Sequence, residues 1–190
     1  MSKIPLQYQV TEYDCGSAAI INAISYIFDF SAIPAAFLKI IYNVCLDKTK
    51  NSKIQTSQEA MKYLALWFNI YAEQTRFPIH CSIYEGKDVS LLKYSEIVEK
   101  IKSPNTAAVL LCKLYDEHYV TLTDADDEYI YLFDPYYKSI DYQDNKIIKL
   151  NNKFKANRKL PINFMETTDG EFYNLKSIPN RLSVVFERTV

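Results

Sequence analysis

The sequence predicts an α+β domain in which N-terminal helices pack on a C-terminal antiparallel sheet. Apolar residues recur at helical spacing through the first part of the chain. From about Asn105 they give way to runs of β-branched and aromatic residues between turn-rich joints. Nothing separates the two parts. The 190 residues include only 3 glycines and no repeat, low-complexity tract or Gly/Ser linker, so residues 1–190 read as a single domain. A hydrophobic content of 48% is enough to give that domain a substantial core.

The first helix runs from Cys15 to Phe28, with Ala19, Ile20, Ala23, Ile24, Ile27 and Phe28 at positions that bury one face. A second covers roughly 33–46; Ser31 is its expected cap, and Pro34 falls in its first turn, where a missing N–H does little harm. Ser57 caps a third that reaches about Tyr71 and turns Met61, Leu64, Ala65 and Phe68 to one side. A short fourth spans Tyr94 to Lys102 and stops at Pro104-Asn105. AAVLLCKLY, HYVTLT, YIYLF, DNKIIKL and a closing RLSVVFER then read as strands. DADDE is the hairpin loop that sets HYVTLT and YIYLF antiparallel and adjacent. The stretch 149–180 is polar and irregular, expected to wrap the surface or form a partial lid, and KFKANRK within it reads as a solvated loop.

With 22 basic and 23 acidic residues the net charge is -1, which gives no global attraction to nucleic acid or to an anionic membrane. No apolar run is long enough to cross a bilayer and no secretory leader is visible, so a soluble, cytoplasmic protein is expected. The four cysteines, Cys15, Cys45, Cys81 and Cys112, form no CxxC pair and have no histidines closely spaced with them. They are expected to be free thiols, with no metal and no other cofactor. Cys45, Cys81 and Cys112 lie in apolar runs and read as small buried hydrophobes. The 16 tyrosines suit half-exposed strand faces and are given no site role.

Cys15 is placed differently. It stands at the front of a helix, where unpaired N–H groups favour a thiolate, and Gly16 lets a backbone or a substrate come close. Alone, that placement fits a nucleophile or a packing residue. The chain has 2 histidines to serve such a thiol. His80 adjoins Cys81; on a strand the two side chains would point to opposite faces, which fits a packing or surface residue. His118 opens HYVTLT, and the hairpin returns Asp134 beside it, so that one ring nitrogen can be oriented while the other serves Cys15. Acyl transfer also needs donors to a developing oxyanion. The Cys15 backbone N–H is one, and the Gln9 side-chain amide, six positions upstream, is the other, with Gln7 as second choice.

Gln9-x5-Cys15-Gly16-Ser17-Ala18-Ala19, His118-Tyr119-Val120 and Asp134-Pro135 together resemble, in order and spacing, the bacteriocin-processing (double-glycine leader) cysteine peptidases of the papain-like superfamily. The resemblance implies a papain-like fold. It implies Cys15 as nucleophile, His118 as general base and then acid, Asp134 as the group orienting His118, and Gln9 as oxyanion donor. The best-known members stand at the front of membrane exporters. This sequence shows no transmembrane segment and no GxxxxGK[ST] motif, so it is more similar to stand-alone bacterial members, and no partner transporter is evident. Residues 136–190 are then a C-terminal extension of the same domain. Three functions are compatible with these residues. One is a peptidase cleaving a peptide or peptide-like substrate through a Cys15 acyl-enzyme. Another is a papain-like acyltransferase, and the third is a peptide-binding module with little turnover.

Overall fold

A computed structural model describes residues 3–50, 53–139 and 142–189. The helices are α1 (Cys15–Ile27), α2 (Ala35–Val44), α3 (Gln58–Thr75), α4 (Glu96–Ile101) and α5 (Ile162–Glu166). A small hairpin, β1 (Lys48–Lys50) and β2 (Lys53–Gln55), joins α2 to α3. The remaining strands are β3 (Ile79–Glu85), β4 (Thr106–Leu114), β5 (Asp116–Ala125), β6 (Tyr129–Phe133), β7 (Ile148–Asn152), β8 (Ala156–Pro161), β9 (Phe172–Leu175) and β10 (Leu182–Arg188). They form one antiparallel sheet in the order β3-β10-β4-β5-β6-β8-β7, with β9 against β4.

The sheet has a core on each face. Ala107, Val109 and Leu111 of β4 pack with α1, α2 and α3; the alternate residues Ala108, Leu110 and Cys112 pack with α4, α5 and β9. That is why β4 reads as an unbroken apolar run rather than an alternating one. α1 lies across β4 and β5, and the Thr121 hydroxyl of β5 donates to the Ala19 carbonyl at 2.9 Å, fixing helix to sheet near its N-terminal end.

Local signals and outcome agree at several joints. The Ser57 hydroxyl accepts from the Ala60 N–H at 3.0 Å and caps α3, which runs to Thr75, beyond the expected Tyr71. The β5–β6 hairpin forms as expected, with its loop shortened to 126–128 because Asp124 and Ala125 pair with Tyr131 and Ile130. Asp126 Oδ1 closes that loop by accepting from the N–H groups of Glu128, at 2.9 Å, and Tyr129, at 2.7 Å.

Other expectations are corrected. Ser31 does not cap α2: it lies in a separate 3-10 turn, Phe30–Ala32, and Pro34 precedes the helix. The N-terminal part is not purely helical, since β3 forms an edge of the sheet. The polar stretch 149–180 is neither a surface wrap nor a lid; it supplies β7, β8, α5 and β9. KFKANRK is not simply a solvated loop, because Asn157 and Arg158 are buried in β8 with their polar atoms partnered. The closing strand β10 runs between β3 and β4, inside the sheet. Among the described residues no helix is long and apolar enough to cross a membrane.

Candidate active site

The site forms where α1 begins, β5 begins and β6 ends. Cys15 is the first residue of α1 and is buried. Asp14 precedes it, yet its carboxylate turns away from the helix, accepting from the N–H groups of Val10 at 3.0 Å and Thr11 at 2.7 Å and from the Thr11 hydroxyl at 2.7 Å. Burial opposes ionisation of Asp14, but these donors outweigh it and hold the carboxyl below its usual range. The Asp14 side chain does not cap the first turn of α1. Gly16 is needed for a close approach, and the group that approaches is Thr56: a Cβ on Gly16 would lie 2.6 Å from the Thr56 Cβ.

On the sheet side, β5 and β6 pair Thr121 with Phe133 and Leu122 with Leu132. Continuing that register sets Asp134 level with Val120, on the same face as His118 and diagonal to it. His118 Nε2 and Asp134 Oδ1 are 2.7 Å apart, both groups being buried. Nε2 is thus committed to the carboxylate, which leaves Nδ1 free of it, and Cys15 lines the same cleft as His118. Burial works against a charged imidazole. The Asp134 carboxylate and the Cys15 sulfur outweigh it and raise the His118 pKa to about 10. Burial likewise opposes the Asp134 charge, but His118 and the other donors to the carboxylate keep its pKa below the ordinary 3.8.

Three residues that sequence reasoning missed surround Asp134. The Tyr136 N–H donates to Oδ1 at 2.8 Å, and the Tyr173 hydroxyl donates to Oδ2. Asn157 clasps the Asp134 backbone, its Oδ1 accepting from the N–H and its Nδ2 donating to the carbonyl, each at 2.8 Å. Asn157 and Tyr173 lie 23 and 39 positions from Asp134, too far for any local spacing rule to connect them. The one usable signal was the presence of polar residues inside β-rich runs, which a buried partner explains.

A cleft of roughly 220 Å³ opens on Cys15 and His118, with Tyr13, Gln55, Glu117 and Tyr136 among its walls. Glu117 is pinned by Lys48 at 3.2 Å and Lys176 at 2.6 Å. Burial opposes its charge, and the two lysines hold its carboxyl below the usual range. The Gln55 amide oxygen is buried without a hydrogen-bond partner.

The remaining sequence candidates fall elsewhere. The Gln9 N–H is anchored on the Pro135 carbonyl at 2.8 Å, beside Asp134, but its side-chain Nε2 donates to the Thr11 carbonyl at 2.6 Å. Its Oε1 is buried and unpartnered. In this geometry Gln9 does not present a donor to the cleft. Gln7 is farther removed: Asn22 clasps its backbone at 2.7 Å and 2.9 Å, and it borders a separate, mainly apolar groove formed with α1 and α2. His80 is exposed on β3, with Cys81 buried on the other face. Burial pushes the Cys45 thiol up to about 12 and those of Cys81 and Cys112 well above the usual range, as fits packing residues. Among the described residues no cluster of His, Cys, Asp and Glu side chains could hold a metal ion.

No family model matches the sequence, and no curated protein matches it. Solved structures do. The structure is similar to that of a double-glycine motif protease from an AMS/PCAT transporter, determined with its leader peptide. That likeness has a TM-score of 0.48 at 15% identity and covers 98% of this chain and 93% of that one. It is also similar to a Bacillus anthracis protein named as a C39-like peptidase, with a TM-score of 0.50 and 13% identity over 100% of this chain and 98% of that one. At such identity the likeness is one of architecture, and on it the chain has the papain-like α+β fold of the C39-like peptidases.

Proposed function

We propose that the protein is a cysteine peptidase of the double-glycine leader type, with Cys15 as nucleophile, His118 as acid and base, and Asp134 as the group that orients His118. The observation that carries this reading is the His118 Nε2 to Asp134 Oδ1 bond of 2.7 Å beside a cleft that Cys15 and His118 both line. With its raised pKa the imidazole carries a proton near neutrality.

The thiolate would attack the scissile carbonyl carbon, forming a C–S bond and an oxyanion before the first turn of α1, where the Cys15 N–H is free of any side-chain cap. His118 then passes its proton to the departing amine as the C–N bond breaks. In the second half it takes a proton from water, which attacks the thioester, releases the acid and returns the sulfur. Gln9 is the second oxyanion donor, and to act it must give up its bond to Thr11.

Mass-spectrometric labelling of the full chain with iodoacetamide and with a peptidyl electrophile tests the reading. Cys15 is expected to react near neutral pH while Cys45, Cys81 and Cys112 stay unmodified, and Cys15→Ala is expected to abolish both labelling and peptide cleavage. Failure of Cys15 to react faster than the buried thiols would sink the proposal.

A further inference from the structure

Asp134 is held by more than the histidine it faces. Its Oδ1 serves both His118 Nε2 and the Tyr136 N–H, whereas its Oδ2 takes the hydroxyl of Tyr173, a fully buried residue at the other end of the chain. The backbone around Tyr173 is shaped for this. Its φ is 61°, in the left-handed region that aromatic residues rarely adopt. The β4–β9 register slips there too, between Cys112↔Leu175 and Leu114↔Phe172. A bulge of this kind re-aims one side chain of a strand, and here it carries the phenol beneath Asp134. The Tyr142 ring closes the pocket edge-on, its centroid 5.6 Å from that of Tyr173.

We propose that Tyr173 is a positioning residue of the thiol site, binding the Asp134 carboxylate through Oδ2 so that its charge and orientation persist when His118 gives up and regains its proton. This rests on the peptidase reading. The segment after Pro135 would then belong to the reacting apparatus instead of being an appendage to it. When the imidazole is neutral its pull on the carboxylate weakens, and a fully buried carboxylate with donors on Oδ1 alone would be drawn towards protonation or rotation at Oδ2. A donor on Oδ2 that does not titrate in the working range prevents both. The groups facing this carboxylate are His118 from β5, Cys112 from β4, Tyr173 from β9 and Tyr142 from the loop before β7. Of these Tyr173 is the donor to Oδ2.

The test is the pH profile of Cys15 alkylation by iodoacetamide in the full chain, compared with Tyr173→Phe, which keeps the ring and loses the hydroxyl. Removing a donor to the charged carboxylate makes Asp134 easier to protonate, so the acid limb should move up by about half to one pH unit. Incorporating a fluorinated tyrosine at 173 strengthens the donor without changing its shape and should move the limb the other way. It also keeps the proposal testable if the phenylalanine variant folds poorly. A merely structural role would lower the melting temperature and leave the limb in place. Superimposed profiles for wild type, Tyr173→Phe and the fluorinated protein would overturn the inference alone. A wild-type Cys15 that does not react would overturn the peptidase reading and this inference with it.

Discussion

The two halves of the site are built to different standards. Behind His118, the Asp134 carboxylate takes three donors and its backbone makes two more bonds with Asn157, all but the Tyr136 N–H bond fully buried. In front of Cys15, the Asp14 side chain does not cap α1, and Gln55, whose Oε1 is buried without a partner, lines the cleft. Buried polar atoms without partners cost stability, so proteins keep few of them. The rear is not free of them, since Tyr142 Oη, beside Tyr173, and Asn174 Oδ1 are also buried without partners, so the contrast rests on the donors gathered around Asp134. On the proposed peptidase reading the rear would hold the acid–base groups and the front would receive the substrate.

The sharpest break of that contrast is Asp134→Ala. It strips the donors of His118, Tyr136 and Tyr173 of their acceptor inside the protein, so both activity and stability should fall. The expected losses are on the order of 10²–10⁴ in rate and about 3–5 kcal/mol in denaturant unfolding. Unchanged unfolding would mean that the rear is not the rigid half. Gln9→Leu probes the front. If Gln9 is the proposed oxyanion donor, its loss should slow peptide cleavage by about 10²-fold, while the loss of its exposed Nε2 bond to the Thr11 carbonyl should lower stability by no more than about 1 kcal/mol. Equal cleavage rates would leave the α1 N–H groups as the oxyanion site without Gln9.

The smallest effect is the pH dependence of stability. His118 is raised from 6.5 to about 10, so its contribution is complete below pH 6.5 and is lost as the pH rises through about 10. Asp134 is lowered from 3.8, so its contribution is present above that pH and is lost as the pH falls below it. Denaturation curves across pH should show a plateau between these limits with slopes no steeper than about 1.4 kcal/mol per pH unit from each group. In Asp134→Asn the acid slope due to this group should vanish, and an undiminished slope would assign the acid limb to other carboxylates.

Much of this architecture was legible from local rules. The first helix, the Ser57 cap, the DADDE hairpin and the meeting of His118 with Asp134 all follow from periodicity, capping chemistry and the two-residue repeat of a strand. Gln9 was found by its distance from Cys15, but spacing says nothing about rotamer, and its amide turned to Thr11. The stretch 149–180 was misread because polarity was taken as exposure. Asn157 is buried because Asp134, 23 positions away, satisfies its amide, and the buried Arg158 guanidinium donates to the adjacent Asn157 carbonyl.

The sequence by itself determined where the candidate groups stand: a cysteine opening a helix, and one histidine made neighbour to one aspartate by a short hairpin. Those relations span few residues, so backbone geometry settles them. Only the tertiary structure decided what surrounds them. β9 and β8 bring Tyr173 and Asn157 to Asp134, Thr56 packs on Gly16, and β10 inserts between β3 and β4. Each of these joins residues distant in sequence, where packing and hydrogen-bond satisfaction select the partner and local propensity is silent.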